Sequence, residues 1–222
     1  MTNEEMFYKG QPIHFNIPEG VKAPIYVISD SHGKILIDAA PYLFKSSQTD
    51  VEDVSISKTA YAIGGEDKRF YLTKSLLNIP QGEQVIVSFG EIDCRHHVPK
   101  WAKIKNKTIE QIVDEVIERY TTKCVEVLME IFKVIVMGAY VCPDDHNHPE
   151  NSYEDIYEAK KLFNQKIEQY CIEKEIIYIP LYKVALENGW DTARLEELYF
   201  SDGSHLNACM IPVILETLSS HE

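Results

Sequence analysis

The chain has little of what marks a secreted or membrane protein. No apolar run in its 222 residues approaches the roughly 18 needed to cross a bilayer, so no membrane span is expected. The N-terminus, MTNEEMFYKGQPIHF, lacks a basic-then-apolar leader, which makes a cytoplasmic protein the expectation. Five cysteines, at positions 94, 124, 142, 171 and 209, are odd in number, widely scattered and without a C-x-x-C pair. They read as reduced thiols rather than a disulfide framework. Positive charge is scarce: 22 Lys and Arg stand against 35 Asp and Glu, a net charge of -13. That removes any general attraction for nucleic acid or an anionic membrane, and the acidity reads as solubility. There is no internal repeat, low-complexity segment or linker-like stretch. Residues 1–222 therefore read as a single domain, with 1–22 as an N-terminal extension. At 45% hydrophobic and 26% charged residues, the chain can bury a core.

Five short, β-rich apolar runs are present, at 24–28, 53–59, 84–89, 133–139 and 176–180. The nearly continuous Val/Ile runs VIVSFG and KVIVMGAYV suit strands buried on both faces, as in a parallel sheet. Helical periodicity lies between them. Residues 108–132 carry an apolar stripe at 3.6-residue spacing, opened by Thr108 with Glu110 and Gln111. Residues 153–174 form a second helix, with Ser152 as cap and Asp155 three residues on. Residues 206–218 form a closing helix, and weaker helices are expected at about 38–45 and about 67–77. Alternating strands and helices imply a doubly wound α/β sandwich with ligands at the carboxyl ends of the strands.

The chemistry-bearing residues fall on those ends. The first run delivers the chain to Ser29-Asp30-Ser31-His32-Gly33. Two chemistries open this way. Asp30 and His32 match the D-x-H-G start of a metal-dependent phosphoesterase; alternatively, Ser31 is a nucleophile on a strand-to-helix turn. The later strand ends carry AYAIGGED with Gly64 and Gly65, then FGEIDCRHH, then YVCPDDHNHPE; FSDGSHLN precedes the last helix. This last stretch decides between the two. A serine hydroxyl needs a base in contact with it, and a carboxylate on the other nitrogen of an imidazole fixes the tautomer. Asp202 and His205 supply both groups from one D-x-x-H turn. The further G-D-x-x-D, G-N-H and G-H-x-H ligand blocks of a phosphoesterase are missing, which leaves a metal-dependent phosphoesterase as the lesser alternative.

This set resembles the SGNH (GDSL-type) hydrolase family, over most of the chain from about residue 24 to the last helix. SDSH matches the first block, with Ser29 in place of the usual Gly. A glycine of AIGGED matches the second, GEID stands where G-x-N-D is expected, and DGSHLN matches the fifth. The resemblance implies a flavodoxin-like three-layer α/β/α sandwich of about five parallel strands, and ester or thioester hydrolysis with no cofactor and no metal. It makes Ser31 the nucleophile, His205 the base and Asp202 its orienter. The oxyanion would be held by the N–H groups of Ser31 and Gly64, with Gly65 the alternative. The substrate is then a small-molecule or carbohydrate ester with a small acyl group, acetyl being the leading case. The third-block asparagine aligns with Ile92, which cannot donate a hydrogen bond. Arg95 is the nearest substitute donor, and Asp30 and Glu91, on the same tips, join the substrate-binding set. Ile92 also leaves open a binding or scaffold module of this fold without turnover.

Other features carry blander expectations. Arg95 with Asp93 and Glu91 reads as a surface ion-pair cluster if not functional. His96 and His97 read as solvated, DDHNHPE as a polar loop without fixed structure or metal spacing, and the aromatics of the long helices as core.

Overall fold

The computed structural model describes residues 2–8, 11–17, 22–46, 59–63, 79–183, 205 and 210–219. The chain opens with an antiparallel hairpin, β1 (Thr2–Tyr8) and β2 (Gln11–Ile17), in which Tyr8 pairs with Gln11. The strands are separated in sequence by Lys9-Gly10 alone, a two-residue X-Gly connection of the kind that favours hairpins. The N-terminal extension thus carries a structure for which the sequence alone predicts none.

A five-stranded parallel sheet comes next, in the order β4-β3-β5-β6-β7. Its strands are β3 (Ile25–Ser29), β4 (Phe44–Ser46), β5 (Gln84–Ser88), β6 (Lys133–Met137) and β7 (Ile177–Ile179). Four of them fall on the apolar runs expected to be strands. The helix expected at about 38–45 is replaced by α1 (Lys34–Ala39) and edge strand β4. Leu43 and Phe44 are both fully buried, and Leu43 accepts a hydrogen bond from the N–H of Ile25, so pairing with β3 wins over helical propensity. The strand expected at 53–59 and the helix at 67–77 lie outside the described residues, apart from Thr59.

The sheet is buried on both faces with a period of two. Val85, Val87 and Val136 face one layer, with Ile112, Val116, Tyr120 and Phe163. Val27, Ile86 and Ile135 face the other, with Leu36, Ile211 and Leu215. Hence the near-continuous Val/Ile strands, and hence a three-layer α/β/α sandwich. After the one-turn α2 (Ala60–Ile63), helical structure runs from Glu91 through a π-helical turn, Asp93–His97, into α3 (Val98–Lys105). Gly90 and Pro99 make this stretch look like a loop in sequence. Pro99 instead sits in the first turn of α3, where its missing N–H costs nothing.

The stripe at 108–132 becomes α4 (Ile109–Tyr120), a π-helical turn Thr121–Val125, and α5 (Glu126–Met129). Thr108 and Gln111 form a reciprocal capping box at its start. The hydroxyls of Thr121 and Thr122 donate back to the carbonyls of Ile117 and Glu118, at the point where the ladder changes. Next come α6 (Tyr153–Glu173), capped by Ser152, and the closing α7 (Ile211–Ser219). No described helix is long and apolar enough to cross a membrane.

Gly90, two residues beyond β5, has φ +113°, a backbone that side chains rarely adopt, and a Cβ there would lie 2.3 Å from the Phe163 ring. Gly90→Ala is expected to destabilise the protein by at least about 2 kcal/mol in urea unfolding, since strain and overpacking add.

Candidate active site

The site begins with how β3 ends. A one-turn helix, Ser31–Gly33, folds back over the strand, and Asp30 caps it by accepting the N–H of His32 at 3.0 Å. A Cβ on Gly33 would lie 2.1 Å from Ser29 Oγ, so only glycine permits this close return. The turn leaves Ser31 half-buried at the carboxyl end of the sheet. From 174 residues along the chain, His205 places Nε2 3.3 Å from Ser31 Oγ. Ser31 and His205, paired in sequence by chemistry alone, are therefore brought together. Asp202, Gly64 and Gly65 lie outside the described residues.

Beneath this pair runs a buried chain of alternating charge. The His32 ring stacks on that of His205, with centroids 5.0 Å apart. Its Nδ1 lies 3.0 Å from Asp30 Oδ1, and its Nε2 lies 3.1 Å from Glu91 Oε2, an ion-pair distance reached outside hydrogen-bonding angles. Burial opposes a charge on His32, but the Glu91 and Asp30 carboxylates outweigh it and its pKa is raised. Both ring nitrogens of His32 face carboxylates, so the D-x-H-G stretch forms an internal contact between Asp30, His32 and Glu91.

Glu91 gathers three cations. Besides His32, Arg95 Nε lies 3.0 Å from Oε1 and Lys160 Nζ lies 3.1 Å from the same oxygen. Burial works against the Glu91 charge, yet Lys160, His32 and Arg95 hold its carboxyl down to about 2. Lys160, fully buried, also donates to Asp145 at 2.6 Å. Glu91, Cys142 and Asp145 place ligand atoms within 4.8 Å of one another, a metal-like cluster. The Lys160 ammonium already contacts all three, so the cation these donors converge on is part of the chain.

Several expectations change here. Glu91 and Asp93 are buried rather than a surface cluster, because Glu91 faces three cations and Asp93 accepts two backbone N–H groups. Arg95 is only 13% exposed; two of its nitrogens are engaged by Glu91, and Nη1 lies 3.7 Å from Asp144 Oδ2. The 143–147 stretch is a short 3₁₀ turn, Pro143–Asn147, fixed because Asp145 turns inward to Lys160 and to the Cys142 N–H. His96 is not a solvated residue: its Nδ1 lies 2.8 Å from His148 Nε2. His148 Nδ1 accepts the N–H groups of Glu150 and Asn151, so the proton on His148 sits at Nε2 and is donated to His96. His97 stacks on Trp101. Cys94, Cys124, Cys142 and Cys171 are buried free thiols.

Sequence reasoning misses Lys160. A signal for it exists, since Lys160 stands at helical spacing between Ile156 and Phe163 on the buried face of α6.

With this geometry in place, comparison with known proteins bears on the fold. The chain matches a candidate acylhydrolase from Bacteroides fragilis with a TM-score of 0.57 and 13% identity, over 93% of this chain and 89% of that one. It matches an acetyl xylan esterase at 0.51 and 12%, over 89% and 98%. It also matches a catalytic mutant of an acetylxylan esterase from Geobacillus stearothermophilus at 0.51 and 12%, over 92% and 95%. The chain has the SGNH-hydrolase fold. No family model and no curated protein matches its sequence. Within this SGNH sandwich, Ser31 and the 91–105 helix occupy the carboxyl ends of adjacent strands, β3 and β5.

Lys160→Met leaves Glu91 and Asp145 buried without their shared cation. It is expected to lower unfolding stability at pH 7 by about 3–5 kcal/mol, measured in urea. The depressed Glu91 pKa adds a pH signature. A carboxyl lowered from 4.5 to about 2 contributes stability that is present above the unfolded value and lost as pH falls through about 2. In Lys160→Met the Glu91 carboxyl moves back towards its unfolded value, so the stability gap to the parent should be widest at neutral pH and narrow as pH falls from about 4.5 towards about 2.

Proposed function

We propose that this protein is a serine ester hydrolase. Ser31 Oγ attacks the acyl carbonyl while His205 Nε2 takes its proton. His205 then returns the proton to the departing alcohol oxygen, leaving an acyl-enzyme. Water attacks that ester, again deprotonated by His205, and the acid leaves with Ser31 regenerated. Asp202, three residues before His205, is assigned to the other ring nitrogen. The observation that carries the reading is the 3.3 Å contact between Ser31 Oγ and His205 Nε2. It lies at the loose end of hydrogen bonding, as nucleophile–base contacts often do before substrate binds.

The oxyanion is assigned to the N–H groups of Ser31 and Gly64, with Gly65 the alternative. Arg95, with Nε and Nη2 already engaged by Glu91, retains further N–H groups for this task. Asp30 and Glu91 belong to the support of the serine rather than to substrate contact, because both are buried against His32. Two structural relatives are acetyl xylan esterases, and on that likeness the substrate is a small acyl ester, with acetyl groups on a carbohydrate as the leading case. A second reading, a binding module without turnover, draws on Ile92, half-buried where the resemblance expects a side-chain donor.

Ser31→Ala and His205→Ala are each expected to lower hydrolysis of acetyl esters by about 10⁴-fold or more, and the double variant to be no worse, because such residues act as a unit. A fluorophosphonate should label the parent at Ser31, and chelator dialysis should leave the rate unchanged. Near-parental turnover in Ser31→Ala would sink the assignment. A parent that neither labels nor turns over any acyl ester, including acetylated xylo-oligosaccharides, would favour the binding module.

A further inference from the structure

The edge of the sheet carries a second concave site. A cavity of about 280 Å³ is lined by residues of α6, of β7 and of the turn after it, and Tyr157, Tyr178 and Tyr182 supply its rings. That volume is at the small end for a ligand pocket and suits one small ring. Most of its polar lining is already engaged. Tyr178 donates to Asn164 Oδ1 at 2.7 Å, and Asn164 Nδ2 donates to the carbonyls of Ala139 and Lys160. Lys183 pairs with Glu168. The Tyr182 hydroxyl is the exception. Tyr182 is 5% exposed, and its oxygen is closed to solvent and makes no well-formed hydrogen bond, with Tyr157 as its polar neighbour. A buried hydroxyl left without a partner is costly, and few native interiors keep one.

Tyr157 connects this cavity to the carboxyl end of the sheet. Its ring lies 6.2 Å from that of Tyr182 and 5.9 Å from that of Tyr153, one helical turn earlier. His146 stacks on Tyr153 at 3.8 Å. A row of four rings thus runs from the 143–147 turn, which Asp145 ties to Lys160, into the cavity. Aromatics of the long helices read as core in sequence, yet Tyr153 and Tyr157 are only half-buried. We propose that the cavity is a binding site for an uncharged sugar ring. A sugar ring presents apolar C–H faces, which suit flat tyrosine walls, and a rim of hydroxyls, which suits the orphaned Tyr182 hydroxyl and the exposed Gln165 and Lys161. Glu168 and Lys183 neutralise each other, which favours an uncharged ligand. β7 stands three places from β3 in the sheet, roughly 14 Å at about 4.8 Å per strand, so the site is separate from the serine turn. Taking its ligand as a further unit of an esterified carbohydrate rests on the serine-hydrolase reading; the fit of the cavity to a sugar does not.

The test uses the full-length chain carrying Ser31→Ala, alone and combined with Tyr182→Phe or Tyr157→Leu. Xylotriose and maltotriose, both free of acyl groups, are titrated by calorimetry and in thermal unfolding, with benzyl alcohol as an apolar aromatic probe. At least one of the two sugars should bind saturably and raise the thermal midpoint with concentration. Tyr182→Phe should weaken that binding by about 3- to 10-fold, one hydrogen bond's worth. Its midpoint without sugar should be no lower, because the hydroxyl it removes has no partner. Tyr157→Leu should weaken binding by about 10-fold or more, as loss of an aromatic anchor does. Tyr182→Phe alters a single atom and carries the test if Tyr157→Leu does not fold. No saturable binding of either sugar, unchanged sugar affinity in both variants, or tighter binding of benzyl alcohol than of sugar would overturn the proposal. The serine-hydrolase reading is checked apart, by acetyl-ester turnover of Ser31→Ala. If that variant stays active while sugar binding depends on Tyr182, the hydrolase reading fails and the sugar site stands; if it is inert and binds no sugar, only the sugar site falls.

Discussion

Glu91 is the carboxylate on which the site depends. It is buried at the end of β5 with His32, Arg95 and Lys160 around it, one cation from each of three elements. His32 belongs to the serine turn, Arg95 to the π-helical turn, and Lys160 to α6. Lys160 passes the connection on to Asp145 and so to the 143–147 turn. Charges taken out of water are costly, and attraction in the interior repays that cost only when geometry and hydrogen bonding are good. The arrangement therefore tolerates little displacement of any member, which makes it a precise way to fix three loops against one another.

The 91–93 segment shows how a missing donor can coexist with an assembled serine–histidine pair. Successive residues on a helix are rotated by about 100°, so Glu91 and Asp93 point to nearly opposite sides. One side meets the serine turn and α6; the other meets α2. Ile92 lies between them, half-buried. The π-helical turn that starts at Asp93 widens the helix at this point, and such turns frequently mark functional sites. Asn151 donates to the carbonyls of Arg95 and His96 within that turn, at 2.9 and 3.2 Å, so its irregular backbone is supported from the start of α6.

Much of this was legible in the sequence, and the limits have physical causes. Strands buried on both faces announce themselves as Val/Ile runs, and the caps at Thr108 and Ser152 sit where their chemistry requires. The Ser31–His205 pairing came from the need of a serine for a base. The helix at 91–105 was hidden because Gly90 and Pro99 are breakers in isolation, whereas here both fall at a helix start. The edge strand at 44–46 was hidden because three residues carry no periodicity. The buried charge chain was hidden for a different reason. Local reading treats Glu, Arg and Lys as solvent-facing, and only the three-dimensional pairing of Glu91 with Lys160, 69 residues later, reverses that.

A buried ion network is weak support for stability in itself, because apolar residues of similar volume often do as well or better. Its contribution here is direction. A leucine or methionine set in place of Glu91, Lys160 and Asp145 could fill the same space, but among the described residues it would leave His32 with Asp30, on the same short turn, as its charged partner. The imidazole would then lose the contact that ties it to β5 and α6, and the plane of the ring stacked on His205 would rest on Asp30 and on ring packing with Tyr140. The alternating charges supply that tie: each member has an obligatory partner on a different element. Stability and orientation are thus separable demands at this site, and the cluster serves the second.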